Sequence, residues 1–138
     1  MYPHHDVVEA GEVQVWQVVM GDAANLPTFR LLSGGHYLVD DRILPTGWSI
    51  AEGEAAGIGP VGVEGDADFV AGSDTVRYRL PPSAASVEVE LLYQSASPRH
   101  LAEIFAWDDP LIRAFEAMAD AADPGPERVA AASLVFGP

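Results

Sequence analysis

The chain has 138 residues, 49% of them hydrophobic, and reaches a net charge of −14 through 21 acidic residues against seven basic ones, all arginine. That balance argues against nucleic acid and anionic membrane surfaces, whose phosphates such a surface repels. The hydrophobic content argues against disorder, and a chain of this length hides about 70% of its unfolded surface on folding without needing staples. Cysteine is absent, which excludes disulfides, thiolate zinc sites, iron–sulfur clusters, cysteine nucleophiles and covalent c-type haem attachment within this chain.

No apolar run approaches the roughly 20 residues of a membrane span. The opening MYPHHDVVEAGEV has neither a basic n-region nor an apolar h-region, so it does not read as a signal peptide. The chain is therefore expected to be cytoplasmic or a segment of a longer one. Residues 1–11 read as a flexible tail or linker. Within them His4-His5, followed by Asp6, forms a pair able to hold a divalent metal weakly.

Residues 12–20 (EVQVWQVVM) predict a Val-rich strand, followed by a turn over residues 21–25. Phe29 to Leu32 begins a second candidate strand that resumes at His36 to Val39. The pair Gly34-Gly35 between its halves marks a bulge or a close backbone approach. Residues 40–48 are a turn-rich connection in which one of Asp40 and Asp41 is expected to pair with Arg42. Residues 49–58 look irregular, and residues 57–65, with four glycines and Pro60, are a loop or a poor edge strand.

Residues 75–80 (TVRYRL) and 87–91 (VEVEL) alternate strictly, which predicts strands with one buried and one wet face. Glu88 and Glu90 then fall on the solvated face. Ser97 is a candidate N-cap with Pro98 at the first helical position. Asp108 or Asp109 caps a second helix from Pro110, with Leu111, Ile112, Phe115 and Met118 as its apolar stripe. Asp123-Pro124-Gly125-Pro126 ends it, and residues 130–136 read as a last strand. The expected architecture is mainly β: a single domain over 1–138, a two-sheet sandwich-like fold with one or two short helices near the C-terminus.

The acidic loop ahead of the first alternating strand is the leading chemical feature. Asp66, Asp68 and Asp74, with backbone carbonyls, offer the hard oxygen ligands that calcium takes, although their spacing is not that of an EF-hand. The competing reading is a strand-connecting loop in which Asx side chains bond their own backbone. His36 and His100 have no ligand at sequence-near spacing and read as packed or surface histidines. There is no G-x-S-x-G elbow and no Gly-rich phosphate loop, so no catalytic residue is assigned. Trp16, Trp48 and Trp107 suit core packing first and sugar stacking second.

The segments VQVWQVVMGDAANLPTFRLLSGGHYLVDDRILPTGW, GDADFVAGSDTVRYRL and VEVELLYQSASPRHLAEIF together resemble the β-rich C-terminal accessory domain appended to bacterial multihaem c-type cytochromes and related exported proteins. The matching positions are Met20, Asp22, Thr28, Asp40 to Arg42, Pro45, Gly47, Asp66, Asp68, Phe69, Gly72, Asp74, Val76, Tyr78 and Tyr93 to Ser95. The haem-bearing part with its C-x-x-C-H motifs is missing, so electron transfer does not carry over, and no cofactor beyond calcium is expected. The resemblance implies a periplasmic or extracellular location and a non-catalytic role in docking or presenting a neighbouring domain. Two alternatives stay open: a small calcium- or carbohydrate-binding module, and a hydrolase using the loop carboxylates.

Overall fold

A computed structural model describes residues 3–9, 11–122 and 125–137. Where the sequence suggests one domain, the chain divides into two compact units, Met1–Pro81 and Pro82–Pro138. Among the described residues the protein is β-rich with three short helices, and its strands fall into three sheets of two, three and two strands.

In the first unit, β2 (Val18–Gly21) lies between β3 (Pro27–Thr28) and β4 (His36–Asp40), antiparallel to both. Period-two geometry puts Val19 opposite Val39, and both are buried. The register shifts between Val19 and Met20. A Cβ on Gly34 would stand 2.9 Å from Met20 Sδ, a side-chain contact, so the close backbone approach expected at Gly34-Gly35 is not what these glycines serve, and the register shift falls in the β2–β4 pairing instead. Only the last part of the expected strand over residues 12–20 pairs. Phe29 to Leu32 is not a strand: the Arg30 carbonyl accepts the N–H groups of Ser33 and Gly34, and this turn leaves Leu31 and Leu32 exposed.

Residues 49–58, expected to be irregular, contain α1 (Ile50–Ala55). Its N-cap is Ser49, whose side chain accepts from the Glu52 N–H, so Ser49-x-x-Glu52 has the sequence form of a capping box. The flexible tail expected over residues 1–11 is corrected as well. β1 (Val7–Val8) runs parallel to β5 (Arg77–Tyr78), and Val8 is fully buried. The strand expected over residues 75–80 shrinks to β5, because β1 offers only two residues to pair and Pro81-Pro82 follows.

The second unit consists of a long antiparallel ribbon, β6 (Ser86–Tyr93) and β7 (Glu127–Val135), with two helices between its strands in sequence. Ser97 caps α2 (Pro98–Phe105), with Pro98 in the first turn, as its sequence requires. Asp109 accepts from the Leu111 N–H at the start of α3 (Pro110–Ala122). Phe105 and Phe115 join the two helices edge to face at 5.5 Å. The expected end of α3 falls partly outside the described residues, at Asp123 and Pro124. The ribbon keeps its alternation, but the buried face that alternation implies is missing: Val89 and Leu91 are exposed alongside Glu88 and Glu90.

Candidate functional site

Four apolar side chains are buried among the described residues, namely Val8, Val19, Val39 and Phe69, all in the first unit. Against one of them, Phe69, lies a polar cluster. β1 draws the preceding residues against the sheet, so His4 is packed edge to face on Phe69, with ring centroids 5.3 Å apart. Its imidazole reaches three aspartates. Nδ1 is 3.2 Å from Asp41 Oδ2, while Nε2 is 2.9 Å from Asp66 Oδ2 and 3.9 Å from Asp74 Oδ2. The side chains of His4 and Asp66 are each 3% exposed, and those of Asp41 and Asp74 not at all.

Each member is oriented by further hydrogen bonds. The Gln17 N–H donates to Asp41 Oδ1 at 2.6 Å. The N–H groups of Asp68 and Phe69 donate to Asp66 Oδ1, an Asx turn that leaves Oδ2 directed to His4. The Trp16 indole donates to Asp74 Oδ2 at 2.6 Å, and Asp74 Oδ1 is buried with no hydrogen-bond partner. The His5 N–H fixes the Gln14 carboxamide through Oε1, so that its nitrogen faces His4 Nδ1 at 2.9 Å and Asp41 Oδ2 at 3.4 Å.

Electrostatics follow from this crowding. Burial works to lower the His4 pKa, but hydrogen bonds to Asp66 and Asp41 and the nearby charge of Asp74 outweigh it and raise the value above normal. Burial pushes the Asp41 carboxyl up, against the pull of the Gln17 N–H and His4. Burial also acts upward on Asp66, yet His4 and the two loop N–H groups hold it below the usual carboxylate range.

Asp68 belongs to a neighbouring, more exposed group. Arg77 bridges it at 2.7 Å and also pairs with Asp6. The structure therefore separates the three aspartates expected to bind calcium. Asp66 and Asp74 join His4 with ligand atoms all within 4.8 Å, and Asp66 also closes a second group with Asp6 and Asp68. In that second group Arg77 already supplies the positive charge. Asp40 pairs with Arg42 through two bonds of 2.7 Å, which frees Asp41 to face inward. The sequence drew attention to His4-His5-Asp6 and to Asp41 separately, but it carried no sign that they meet. The side chains of the cluster turn almost none of their own surface to solvent.

The second unit offers a different kind of site. Not one of its described residues is buried. Leu91, Leu92 and Tyr93 on β6, Leu111 and Met118 on α3, and Leu134 on β7 are among its exposed apolar side chains. From Val129 to Val135, β7 carries no charge and no proline, the usual devices for protecting a strand edge. Arg128 and Glu90 form one cross-strand ion pair at 3.0 Å. No helix among the described residues is long and apolar enough to cross a membrane. No family model, no curated protein and no solved structure matches the chain.

Proposed function

We propose that this chain is a non-catalytic interaction domain whose second unit is completed by a protein partner. One observation carries the reading: the second unit has amphipathic strands and helices, yet none of its described residues is buried. A two-stranded ribbon is marginal on its own in water, and its stability requires a further strand or a packed face. The chain exposes 9762 Å², whereas two separately folded pieces of the lengths of its units would expose about 8,300 Å². That excess is larger than the ~800 Å² one partner contributes to a standard interface.

The uncharged edge of β7 suits strand addition, and the acidic surface elsewhere favours a neutral or basic partner. The resemblance to cytochrome accessory domains supports a neighbouring domain as that partner, a haem-bearing one first, and a location outside the cytoplasm. On this reading the sandwich expected from the alternating strands forms only when the partner supplies its other layer.

Amide exchange on the isolated chain, with light scattering to fix its mass, tests the proposal. Amides of β6 and β7 should exchange much faster than those of β2 and β4 in a dilute monomer, and should become protected when the partner is present. Protection arising at high protein concentration would make the partner a second copy. A dilute monomer whose ribbon amides are as protected as those of β2 and β4 would refute the reading.

A further inference from the structure

The geometry points to a mononuclear site for a first-row divalent transition ion, of the zinc or manganese class, held by His4 Nε2, Asp66 Oδ2 and the Asp74 carboxylate. It lies in the first unit and is independent of the docking role given to the second. Three observations converge on it. The ligand atoms all stand within 4.8 Å of one another, so small movements bring them to one ion. The Asp74 side chain is fully buried and keeps an oxygen with no hydrogen-bond partner. An orphaned buried acceptor of that kind is rare without an ion or a water to satisfy it.

The third observation is the outer shell. A metal-bound histidine turns its second nitrogen to a carboxylate, which fixes the ring, and Asp41 Oδ2 stands 3.2 Å from His4 Nδ1. Asp41 is itself held by the Gln17 N–H, Asp66 by two loop N–H groups and Asp74 by the Trp16 indole. Each carboxylate thus has at least one oxygen held by a donor outside the histidine, which sets its orientation, and only Asp74 keeps an oxygen with no partner. Charge argues the same way: three buried aspartates converge on one histidine, and a dipositive ion compensates them more fully than one proton does. Binding sends the proton held between Nε2 and Asp66 to solvent, while Nδ1 keeps its contacts with Asp41 Oδ2 at 3.2 Å and the Gln14 carboxamide at 2.9 Å.

The mixed donor set decides the class. Imidazole nitrogen with two carboxylates suits zinc, manganese, iron or cobalt, whereas calcium requires six or more oxygens. Asp68, which calcium would need, is occupied by Arg77.

The full chain, stripped with chelator, is titrated at neutral pH with Zn²⁺, Mn²⁺, Co²⁺ and Ca²⁺ separately. Zn²⁺ should raise the melting temperature and Co²⁺ should give visible absorption. Mn²⁺ should broaden the indole N–H of Trp16 and the amides of Asp68 and Phe69 before any others. Asp74→Asn and His4→Gln should each weaken Zn²⁺ binding at least tenfold. Asp41→Asn should weaken it about 10–100-fold, as loss of an outer-shell partner does. Asp68→Asn should leave it unchanged. Asp74→Asn also has a signature no structural role shares, since it should hold or raise the ion-free melting temperature while removing the response to Zn²⁺. Should the variants fail to fold, Mn²⁺ broadening on the native chain decides alone. The proposal is overturned if no transition ion shifts melting, if broadening centres on His36 or His100, if Zn²⁺ binding survives Asp74→Asn, or if Ca²⁺ binds more tightly than Zn²⁺.

Discussion

Replacing His4 by alanine separates a structural residue from a tail residue, and its cost can be worked from the contacts. In chelator, the substitution removes the 2.9 Å partner of Asp66 and the 3.2 Å partner of Asp41, both among buried side chains. Taking one member from a buried ion pair costs about 3–5 kcal/mol, because the remaining charge stays desolvated. Loss of the edge-on contact with Phe69 adds ~0.5–1.5 kcal/mol. Retained backbone donors on Asp41 and Asp66, with water entering the vacated space, pull the sum to the lower end, about 3 kcal/mol. For a unit of this size that corresponds to a fall of ~12–24 °C in melting temperature. The assay is urea or thermal unfolding at neutral pH followed by tryptophan fluorescence, with Trp16 and Trp48 reporting on the first unit. His5→Ala is the control, because it keeps the backbone N–H that orients Gln14 and should cost no more than ~0.5 kcal/mol. If His4→Ala and His5→Ala prove equally mild, below about 1 kcal/mol, His4 does not occupy the cluster and the argument built on it falls.

Three further outcomes follow from the same geometry. The folded pKa of His4 is raised, so its contribution is complete below the ordinary value of about 6.5 and is lost as pH rises through the folded value. Asp41, also raised, acts in the same direction, while the lowered Asp66 contributes above the ordinary carboxyl value and loses that contribution as pH falls through its folded one. Urea midpoints of the ion-free chain should therefore peak on the acid side of neutrality, and a profile flat from mild acid into alkali would contradict the assignment. Trp16→Phe removes the indole donor at 2.6 Å and leaves Asp74 with no bonded donor at all, a loss of about 2–3 kcal/mol by chemical denaturation; no change would mean the indole bond is not made. Gly72→Ala should cost more than Gly65→Ala. Both glycines have positive φ, at 88° and 96°, but only the Gly72 Cβ meets a neighbour, Thr46 Oγ1 at 2.7 Å. Equal melting temperatures for the two variants would show that the contact relaxes freely.

Local signals in the sequence were legible where they depend on near neighbours. The Ser97-Pro98 start of α2 reads directly, and the sequence narrows the cap of α3 to Asp108 or Asp109, of which the structure uses Asp109, because capping chemistry acts over a few residues. The Ser49-x-x-Glu52 signal is equally local, but the glycines that follow it give the segment the look of a loop. Non-local pairing was not legible. β1 consists of two valines in a polar opening segment, and only its parallel pairing with β5, some 70 residues on, makes it a strand. The site suffered likewise: His4 lies 37 residues from Asp41 and 62 from Asp66. Each residue alone has an ordinary local role, in a tail, a turn or an Asx loop.

The two units meet the same difficulty, too little apolar burial, in different ways. The first buries four apolar side chains among its described residues and ties its opening segment to the acidic loop and to Asp41 through His4. Its cohesion therefore rests heavily on a polar cluster whose negative charge exceeds its positive charge. A cation bound there would stabilise the folded state by an amount that grows with the logarithm of its concentration above Kd, about 2.7 kcal/mol at a hundredfold excess. That gain is comparable with the cost of losing His4, so ion occupancy and the order of residues 4–9 should rise and fall together. Among its described residues the second unit has no such cluster; Arg128–Glu90 and Arg113–Asp108 are exposed ion pairs, worth little individually. On the proposed reading, what remains available to it is its apolar surface, which would stabilise the fold once a partner removes it from water.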